Sequence, residues 1–495
     1  MRIEFGNEYF ADRAGRRSPV AMAIANLING HAIIIGSSGT GKSWTVRKMI
    51  RQGSASSPQT RFHVFDVHGD LEIEGASVVQ FSEQAPFGLN PLRVNPNPDF
   101  GGVRKCVQNF IRTVNQCTAQ LGHKQESVLR NLLEDTFADF GFYVDDPSSW
   151  SLNQLDARPL GGSASNRLYL EVALADKDHA KAYGARWDPE KRAWWVHTEK
   201  YAGELTKFKP AFIPRRYPTL KDVLEYAKRL HVQRFLGSDQ AGIRALNHLN
   251  KTARTLQRRL LEMTKESHFS GERAGASEEL EKAKEDAIYA YTHYVSNIQT
   301  GLELETLLKY DSPDGLKGVI DRLSNLNATG VFKDNSAPFD PNNSVWRYKL
   351  NPLESSEKKM MVLFLLQNLF AKAVQRGETS EVHDVIVLDE LSTYTSTQDE
   401  SGDGILGIIA REARKFGLVM WAANQSPQGV PESMLSSVGT KILLGVDEMY
   451  WNHAVSKLRC DTKLLSFIQP HHTMGIQLKE KGALKQRWWW VSISD

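Results

Sequence analysis

The sequence has 495 residues, of which 41% are hydrophobic and 24% are charged. This length is too great for one ordinary compact domain, and this composition excludes an intrinsically disordered chain. The formal net charge is only +3, which excludes nucleic-acid binding through an overall positive field and leaves local basic patches.

The three cysteines, Cys106, Cys117 and Cys460, form no C-x-x-C pair. Their spacing favours neither a disulfide framework nor a zinc site, and it is typical of a reducing compartment. No secretory signal opens the sequence, and no apolar run approaches the ~18 residues of a membrane span. We therefore expect a cytoplasmic protein with no membrane span.

The first predicted elements surround a phosphate-binding motif. The β-branched run Ala32–Ile35 predicts a buried strand, residues 36–43 (GSSGTGKS) match G-x-x-x-x-G-K-[ST], and residues 44–50 have helical character. The glycines let backbone N–H groups turn inward around an anion, and the following helix adds the positive end of its dipole. This strand–loop–helix context predicts a P-loop rather than a chance glycine-rich turn.

The P-loop motif assigns chemistry to its residues. Lys42 is expected to reach the β- and γ-phosphates of ATP, and Ser43 is expected to ligate Mg²⁺. The predicted nucleotide-binding residues are Gly36, Ser37, Ser38, Gly39, Thr40, Gly41, Lys42, Ser43 and Trp44.

A second strand is predicted at residues 62–66, before a turn at His68–Gly69–Asp70. Asp66 stands at the end of this strand. Two roles are open for Asp66: it could contact the nucleotide site, or it could cap the turn that follows.

The middle of the chain is predicted to be helical with one small inserted unit. Residues 103–143 show apolar spacing typical of helices, and a loop at 145–165 marks a boundary. Residues 216–310 are helical and highly charged, which favours a solvated hairpin over a DNA-facing lever.

Between these helical segments, residues 168–212 contain a strand, a short helix and a tryptophan-rich hairpin. This unit resembles a small domain of unknown function that is found attached to plasmid and mobile-element proteins that handle DNA. Most of its tryptophans are expected to form the core of a tiny domain. A basic, aromatic nucleic-acid surface is the alternative. Its members would be Lys177, Lys181, Arg186, Trp187, Arg192, Trp194 and Trp195.

A third strand, Val385–Leu388, ends in the acid pair Asp389–Glu390. Functional groups of a parallel sheet gather at the carboxyl ends of its strands. Asp389 is therefore expected to hold Mg²⁺ through water, and Glu390 is expected to orient and deprotonate the attacking water. Two ordinary solvated acids are the alternative.

The stretch REARKFGLVMWAANQSP, residues 411–427, predicts a basic helix end, a stop at Gly417 and a buried strand at 418–423. Gln425 then lies at the carboxyl end of that strand, where a polar side chain can sense the γ-phosphate. Arg411 and Arg414 are expected to complete the site of a neighbouring subunit as arginine fingers. The alternative is a basic helix end favoured by the helix dipole.

These segments together resemble the HerA family of hexameric DNA-pumping ATPases, within the HerA–FtsK superfamily. The resemblance rests on IIIGSSGTGKS, FDVHGD, VIVLDEL and AREARKFGLVMWAANQSP in this order, and it covers roughly residues 20–110 and 310–495. The N-terminal β-barrel of the family is expected to be missing, because the P-loop begins at residue 36. The Asn-Pro-Leu segments at 90–92 and 351–353 resemble those of both HerA and conjugation ATPases.

The fold class that follows is α/β: a RecA-like P-loop NTPase with a mainly parallel central sheet, a helical insertion and a small α+β inserted domain. Five segments are predicted. They are the first part of the ATPase core (1–100), a helical segment (101–160), the tryptophan-rich domain (161–215), a charged helical insertion (216–310) and the second part of the core (311–495).

The resemblance implies a hexameric, ATP- and Mg²⁺-dependent translocase or helicase on double-stranded DNA. It also implies a separate nuclease or effector partner, with anti-phage defence as one setting. Two alternatives remain: a conjugation or type IV secretion motor, and a nucleotide-gated scaffold that activates an effector.

Overall fold

The structure is a computed structural model that describes residues 1–153, 156–161, 167–189, 191–236, 240–263, 272–296, 309–310, 313–395, 404–483 and 486–493. Two compact units are present. Unit 1 comprises Met1–Gln120, Val144–Ser151 and Thr329–Asp495, and unit 2 comprises Leu121–Tyr143 and Leu152–Ala328. Parts of the predicted boundary loop and helical insertion, residues 162–165, 264–271 and 297–308, lie outside the described residues.

The strands in chain order are β1 (Arg2–Glu8), β2 (Pro19–Ala23), β3 (Ala32–Ile35), β4 (Arg61–Asp66), β5 (Ser77–Gln80), β6 (Ala157–Pro159), β7 (Arg167–Leu170), β8 (Arg186–Asp188), β9 (Ala193–His197), β10 (Phe212–Pro214), β11 (Val345–Lys349), β12 (Thr379–Leu388), β13 (Phe416–Asn424), β14 (Thr440–Leu443), β15 (Thr473–Leu478) and β16 (Trp488–Ile493).

The α-helices in chain order are α1 (Tyr9–Arg13), α2 (Lys42–Ser56), α3 (Val103–Cys117), α4 (His123–Asp139), α5 (Lys177–Ala182), α6 (Leu220–Leu236), α7 (Gln240–Met263), α8 (Glu272–Ser296), α9 (Pro313–Ala328), α10 (Ser355–Arg376), α11 (Ile405–Glu412), α12 (Glu432–Ser437), α13 (Trp451–Leu458) and α14 (Thr462–Phe467). None of the described helices is both long and apolar enough to cross a lipid bilayer.

Unit 1 is built on an eleven-stranded sheet in the order β2-β1-β16-β15-β14-β3-β13-β12-β4-β11-β5. The seven strands from β14 to β5 are parallel, and the four at the other end are antiparallel. Strand β13 lies between the P-loop strand β3 and the acid-pair strand β12. This arrangement confirms the predicted α/β fold with a mainly parallel central sheet.

The core of unit 1 explains why the central strands are apolar along their whole length. Every residue of β3 and β13 is buried, as expected for parallel strands that are covered on both faces. Trp421 of β13 is 1% exposed, and its indole N–H donates to the carbonyl of Gly30 at 3.1 Å. This packing holds β13 against the strand that leads into the P-loop.

Gly417 has a different role from the predicted one. Helix α11 already ends at Glu412, and a single 3₁₀ turn, Ala413–Lys415, leads into β13. Gly417 lies inside β13 with φ +69°, and a Cβ there would come within 2.4 Å of the Glu381 carbonyl oxygen. A glycine is therefore required by the close approach of the chain at the entry of β13, not by the end of the helix.

Unit 2 is largely helical, and it contains the tryptophan-rich unit. Helices α4, α6 and α9 pack together, and α7 packs along α8 as the predicted hairpin. Strands β7, β9 and β8 form a small antiparallel sheet, which confirms the predicted tryptophan-rich hairpin. Trp195 is 5% exposed, as expected for a core residue, whereas Trp187 is 45% exposed.

The boundaries of the two compact units differ from those of the five predicted segments. Helix α3 belongs to unit 1 and α4 to unit 2, although both fall in the predicted segment 101–160. The five-segment division stays a prediction.

Candidate nucleotide-binding and hydrolysis site

The P-loop connects the end of β3 to the start of α2. Gly39 and Gly41 have φ values of +79° and +97°, a conformation that favours glycine. A Cβ on Gly36 would lie 2.4 Å from the Thr40 hydroxyl, so the loop closes on itself at its first glycine. The predicted binding residues from Gly36 to Trp44 therefore form one compact loop and the first turn of α2.

Neighbouring loops hold the P-loop in place from two sides. The Ser37 N–H donates to the Gly445 carbonyl at 2.8 Å, and the Asp447 N–H donates to the Ser37 hydroxyl at 3.1 Å. The Nε2 of His471 donates to the Gly39 carbonyl at 2.8 Å. His471 was not predicted from sequence, because nothing in its local pattern indicates a partner 432 residues away.

Lys42 lies at the centre of the predicted site. Its ammonium donates to the carbonyls of Gly36 at 2.8 Å and Ser37 at 3.1 Å. Burial lowers the pKa of Lys42, and the nearby carboxylates of Glu390 and Asp389 act in the opposite direction. The charges of Glu390 and Asp389 therefore act on Lys42, and the catalytic roles of these three residues stay predictions.

Asp389 follows β12 directly and faces other carboxylates. Oxygen atoms of Asp66, Asp70 and Asp389 all lie within 4.8 Å of one another. Burial raises the pKa of Asp389 to about 6, and the like charges of Asp70, Asp66 and Glu390 add to this effect against His68. A divalent cation would relieve this repulsion, so the donor set at Asp389 fits the predicted Mg²⁺ ligand.

Asp66 is fully buried, and protein donors already occupy its two oxygens. Arg347 on β11 donates to Oδ2 through Nε at 2.8 Å and Nη2 at 2.6 Å. The N–H groups of Gly69 and Leu71 donate to Asp66 at 2.7 Å and 3.3 Å. Asp66 therefore caps the following turn, which is one of its two predicted roles, and its carboxylate also lies in the cluster around Asp389.

Glu390 adopts a backbone conformation that side chains rarely take, with φ +62° and ψ +73°. The Ser392 hydroxyl donates to its Oε1 at 2.7 Å. Strained conformations of this kind cluster at functional sites, because the surrounding structure must impose them. The conformation places the Glu390 carboxylate near Lys42.

The amides at the end of β13 have separate positions. Asn424 is 1% exposed: its Oδ1 accepts from the Ser392 N–H at 2.9 Å, and its Nδ2 donates to the Ser426 carbonyl at 2.7 Å. The Asn424 carbonyl accepts from the Gly36 N–H at 3.1 Å. Asn424 therefore ties β13 to the P-loop and to the segment after Glu390, while Gln425 is exposed at the tip.

The predicted arginines lie at the amino end of β13, the end opposite to the P-loop. Arg411 is in the last turn of α11 and Arg414 is in the 3₁₀ turn before β13, and both are exposed. Because β13 has nine residues at ~3.3 Å each, its two ends are about 26 Å apart. The structure does not bring Arg411 or Arg414 to the site of its own chain.

Arg414 instead influences a buried histidine at that end. His31 is fully buried, and its Nδ1 accepts from the Met420 N–H at 3.0 Å. Burial lowers the pKa of His31 to about 4, and the charge of Arg414 contributes to this shift. His31 is therefore neutral at pH 7.

Comparison with known proteins agrees with this geometry. The family described as the central domain of helicase HerA matches residues 3–139, and a domain of unknown function, DUF5710, matches residues 167–210. The DNA double-strand break repair helicase HerA of Pyrococcus furiosus is 28% identical over 127 residues, covering 20% of this chain and 23% of that protein. The chain thus matches about a quarter of the length of this relative.

A solved structure extends the similarity to the whole chain. VirB4 of Thermoanaerobacter pseudethanolicus aligns with a TM-score of 0.55 and 11% identity, covering 100% of this chain and 96% of that chain. At this identity the likeness concerns the fold alone. The sheet order and the P-loop site define a RecA-like P-loop ATPase. The family match over residues 3–139, the curated relative and the shared fold together support a P-loop ATPase of the HerA–FtsK superfamily.

Proposed function

We propose that the chain is an ATP-hydrolysing motor that forms a ring, as a hexamer, and moves along double-stranded DNA. The observation that carries this proposal is that two groups of predicted site residues lie at opposite ends of the parallel strands. Lys42, Asp389 and Glu390 lie at one end of these strands, while Arg411 and Arg414 are exposed at the other end. A site that lacks its arginine within the chain is completed by a neighbouring subunit.

The residues at the carboxyl ends of the parallel strands each have a separate role in ATP binding and hydrolysis. The P-loop N–H groups and Lys42 bind the phosphates, and Glu390 accepts the proton of the attacking water. Gln425, exposed at the end of β13, orients that water. Ser43 and Asp389 would hold Mg²⁺, which offsets the charge on the phosphate oxygens.

We also propose that the motor works with a separate nuclease or other effector, with anti-phage defence as one setting. The sequence has no clustered nuclease motif, so cleavage of DNA would require a second protein. The relative from Pyrococcus furiosus is named as a repair helicase, which supports a DNA substrate.

The test combines ATP turnover with particle mass, measured with and without linear duplex DNA. The proposal predicts a particle of six subunits whose turnover rises when duplex DNA is added. A Lys42→Ala variant serves as the control for contaminating ATPases. A monomer that hydrolyses ATP at the same rate with and without DNA would contradict both the ring and the substrate.

A further inference from the structure

A buried lysine lies on β14, away from the residues of the hydrolysis site. Lys441 is 8% exposed and pairs with Gln477 across the β14–β15 ladder. The ladder continues past β15, because the Lys479 N–H donates to the Gly439 carbonyl at 2.8 Å. Lys479 is two residues from Gln477, so Lys441 and Lys479 project from the same face as diagonal neighbours.

Arg459 is a third cation whose charge acts on Lys441. It follows the last residue of α13 in a left-handed conformation, with φ +52° and ψ +46°. Burial, together with the charges of Lys479 and Arg459, lowers the pKa of Lys441 to about 8. Lys479 and Arg459 therefore both lie close enough to Lys441 for their charges to repel its ammonium group.

No carboxylate balances these charges within the part of the chain that the structure describes. None of the three cations forms an ion pair there. The Cys460 thiol beside Lys441 supplies no charge, because burial raises its pKa to about 11. The carboxylate of Asp461 caps α14 by accepting from the Leu464 N–H at 2.8 Å.

The three side chains differ in exposure, and the Lys479 ammonium already donates to the Ser436 carbonyl at 2.6 Å. Lys441 is buried, Lys479 is half-buried and Arg459 is exposed. Burying an ammonium without a counter-ion is costly, and an anion that entered beside Arg459 would offset that cost. Phosphate groups suit such a cluster of cations, since lysine and arginine both donate charge-assisted hydrogen bonds to phosphate oxygens.

We propose that Lys441, Lys479 and Arg459 bind a backbone phosphate of nucleic acid. This inference rests on the proposed function, because it assigns residues to the DNA contact of the motor. The position of Lys441 also suggests how DNA binding affects the nucleotide-binding P-loop. Leu444, the residue after β14, contacts the P-loop at Gly36 and lies only three residues, about 10 Å, from Lys441.

The experiment measures duplex DNA binding by the full chain, without nucleotide, over a range of salt concentrations. The test variants are Lys441→Met and Arg459→Gly, and the control is Lys463→Met, an exposed lysine on the neighbouring helix α14. Each test variant should weaken binding about tenfold and reduce the slope of log K against log salt by about 1. The control should bind DNA like the wild-type chain.

The variant Arg459→Gly distinguishes a loss of DNA binding from a loss of folding. Glycine suits the left-handed conformation at position 459, so this variant should unfold at a temperature no lower than the wild type. Weaker DNA binding by a chain of undiminished stability would support a direct contact.

Three outcomes would overturn the inference. Wild-type affinity and salt slope in both test variants would remove these cations from the DNA contact and leave the proposed function standing. Absence of DNA binding by the wild-type chain would contradict the proposed function as well. If inorganic phosphate binds the chain only when Lys441 is present, while Lys441→Met leaves DNA binding unchanged, the site takes a free anion instead of DNA.

Discussion

At the scale of single residues, Glu390 holds its carboxylate beside Lys42 in a conformation with φ +62°. The variant Glu390→Gln keeps the shape of the side chain and removes the base. We expect nucleotide binding to persist and turnover to fall by a factor of about 10² to 10⁴. Phosphate release and the affinity for a fluorescent ATP analogue measure the two effects.

The matched variant for that experiment is Lys42→Ala, which should lose nucleotide binding itself. Hydrolysis by Glu390→Gln near the wild-type rate would remove Glu390 from the mechanism. Loss of binding in Glu390→Gln would instead assign Glu390 to the fold of the loop.

Arg347 stabilises the buried carboxylate beside the site. Because Asp66 is fully buried and Arg347 is its cationic partner, Arg347→Met leaves a buried charge unpaired. We expect this variant to lose about 3 to 5 kcal/mol of unfolding free energy. Chemical denaturation measures the loss, and the double variant Asp66→Asn/Arg347→Met should recover part of it. No recovery would indicate that Arg347 acts through packing.

Asp384, at the amino end of the sheet, predicts a dependence of stability on pH. Burial alone would raise its pKa, but its bonds to His63 and Arg376 outweigh burial and lower the pKa to about 2. A carboxyl whose pKa is lowered in the folded state contributes stability above its unfolded pKa of about 3.9, and this contribution disappears as pH falls towards 2.

Asp384→Asn should therefore destabilise unit 1 by about 2 kcal/mol at pH 7. The difference from wild type should shrink between pH 4 and pH 2, as followed by chemical unfolding. A difference that stays constant across that range would show that the charge of Asp384 is unimportant.

Positions that depend on the nearby chain could be predicted from the sequence, and positions that depend on distant partners could not. Lys42 and Ser43 belong to one contiguous motif, so their place in the loop follows from local spacing. Asp66 could not be assigned, because its partner Arg347 is 281 residues away. His471, Lys441 and Lys479 were not singled out from the sequence for the same reason. Their neighbours in the structure are distant in the sequence or lie across a strand ladder.

At the scale of elements, the apolar runs within β3, β12 and β13 were predictable from the sequence. The parallel strands β5 (SVVQ) and β11 (VWRYK) were not predicted, because polar residues interrupt their apolar pattern. Strands β1, β2 and β16 were not predicted either, and β1 pairs with β16 across almost the whole sequence. The position of Gly417 was misread for a similar reason, since only the fold reveals the Glu381 carbonyl against it.

The tryptophan-rich element makes its own prediction. It contributes no residue to the P-loop, and the chain enters and leaves it at neighbouring points, since the Leu160 N–H donates to the Ala211 carbonyl at 3.0 Å. Replacing residues 162–210 by a short Gly-Ser linker should leave basal ATP turnover within about twofold of wild type. Complete loss of hydrolysis in a folded deletion variant would show that this element supports the motor.

At the scale of the whole molecule, arginine fingers that act in trans require assembled subunits for ATP hydrolysis. The nine residues of β13, about 26 Å in length, separate the P-loop from Arg411 and Arg414 within one chain. If these arginines complete a site, it is the site of a neighbouring subunit. Removing an arginine finger costs ~10³-fold or more in related phosphoryl-transfer systems. Subunits that fail for different reasons should therefore rescue one another.

The most direct measurement is ATP turnover by mixed rings. One subunit carries Arg411→Ala/Arg414→Ala and keeps its P-loop, and the other carries Lys42→Ala and keeps its arginines. Each alone should be nearly inactive, and turnover should return on mixing, because an intact P-loop then meets intact arginines of a neighbour. If the subunits demonstrably exchange and turnover stays at background, the arginines do not act in trans and the central claim is wrong.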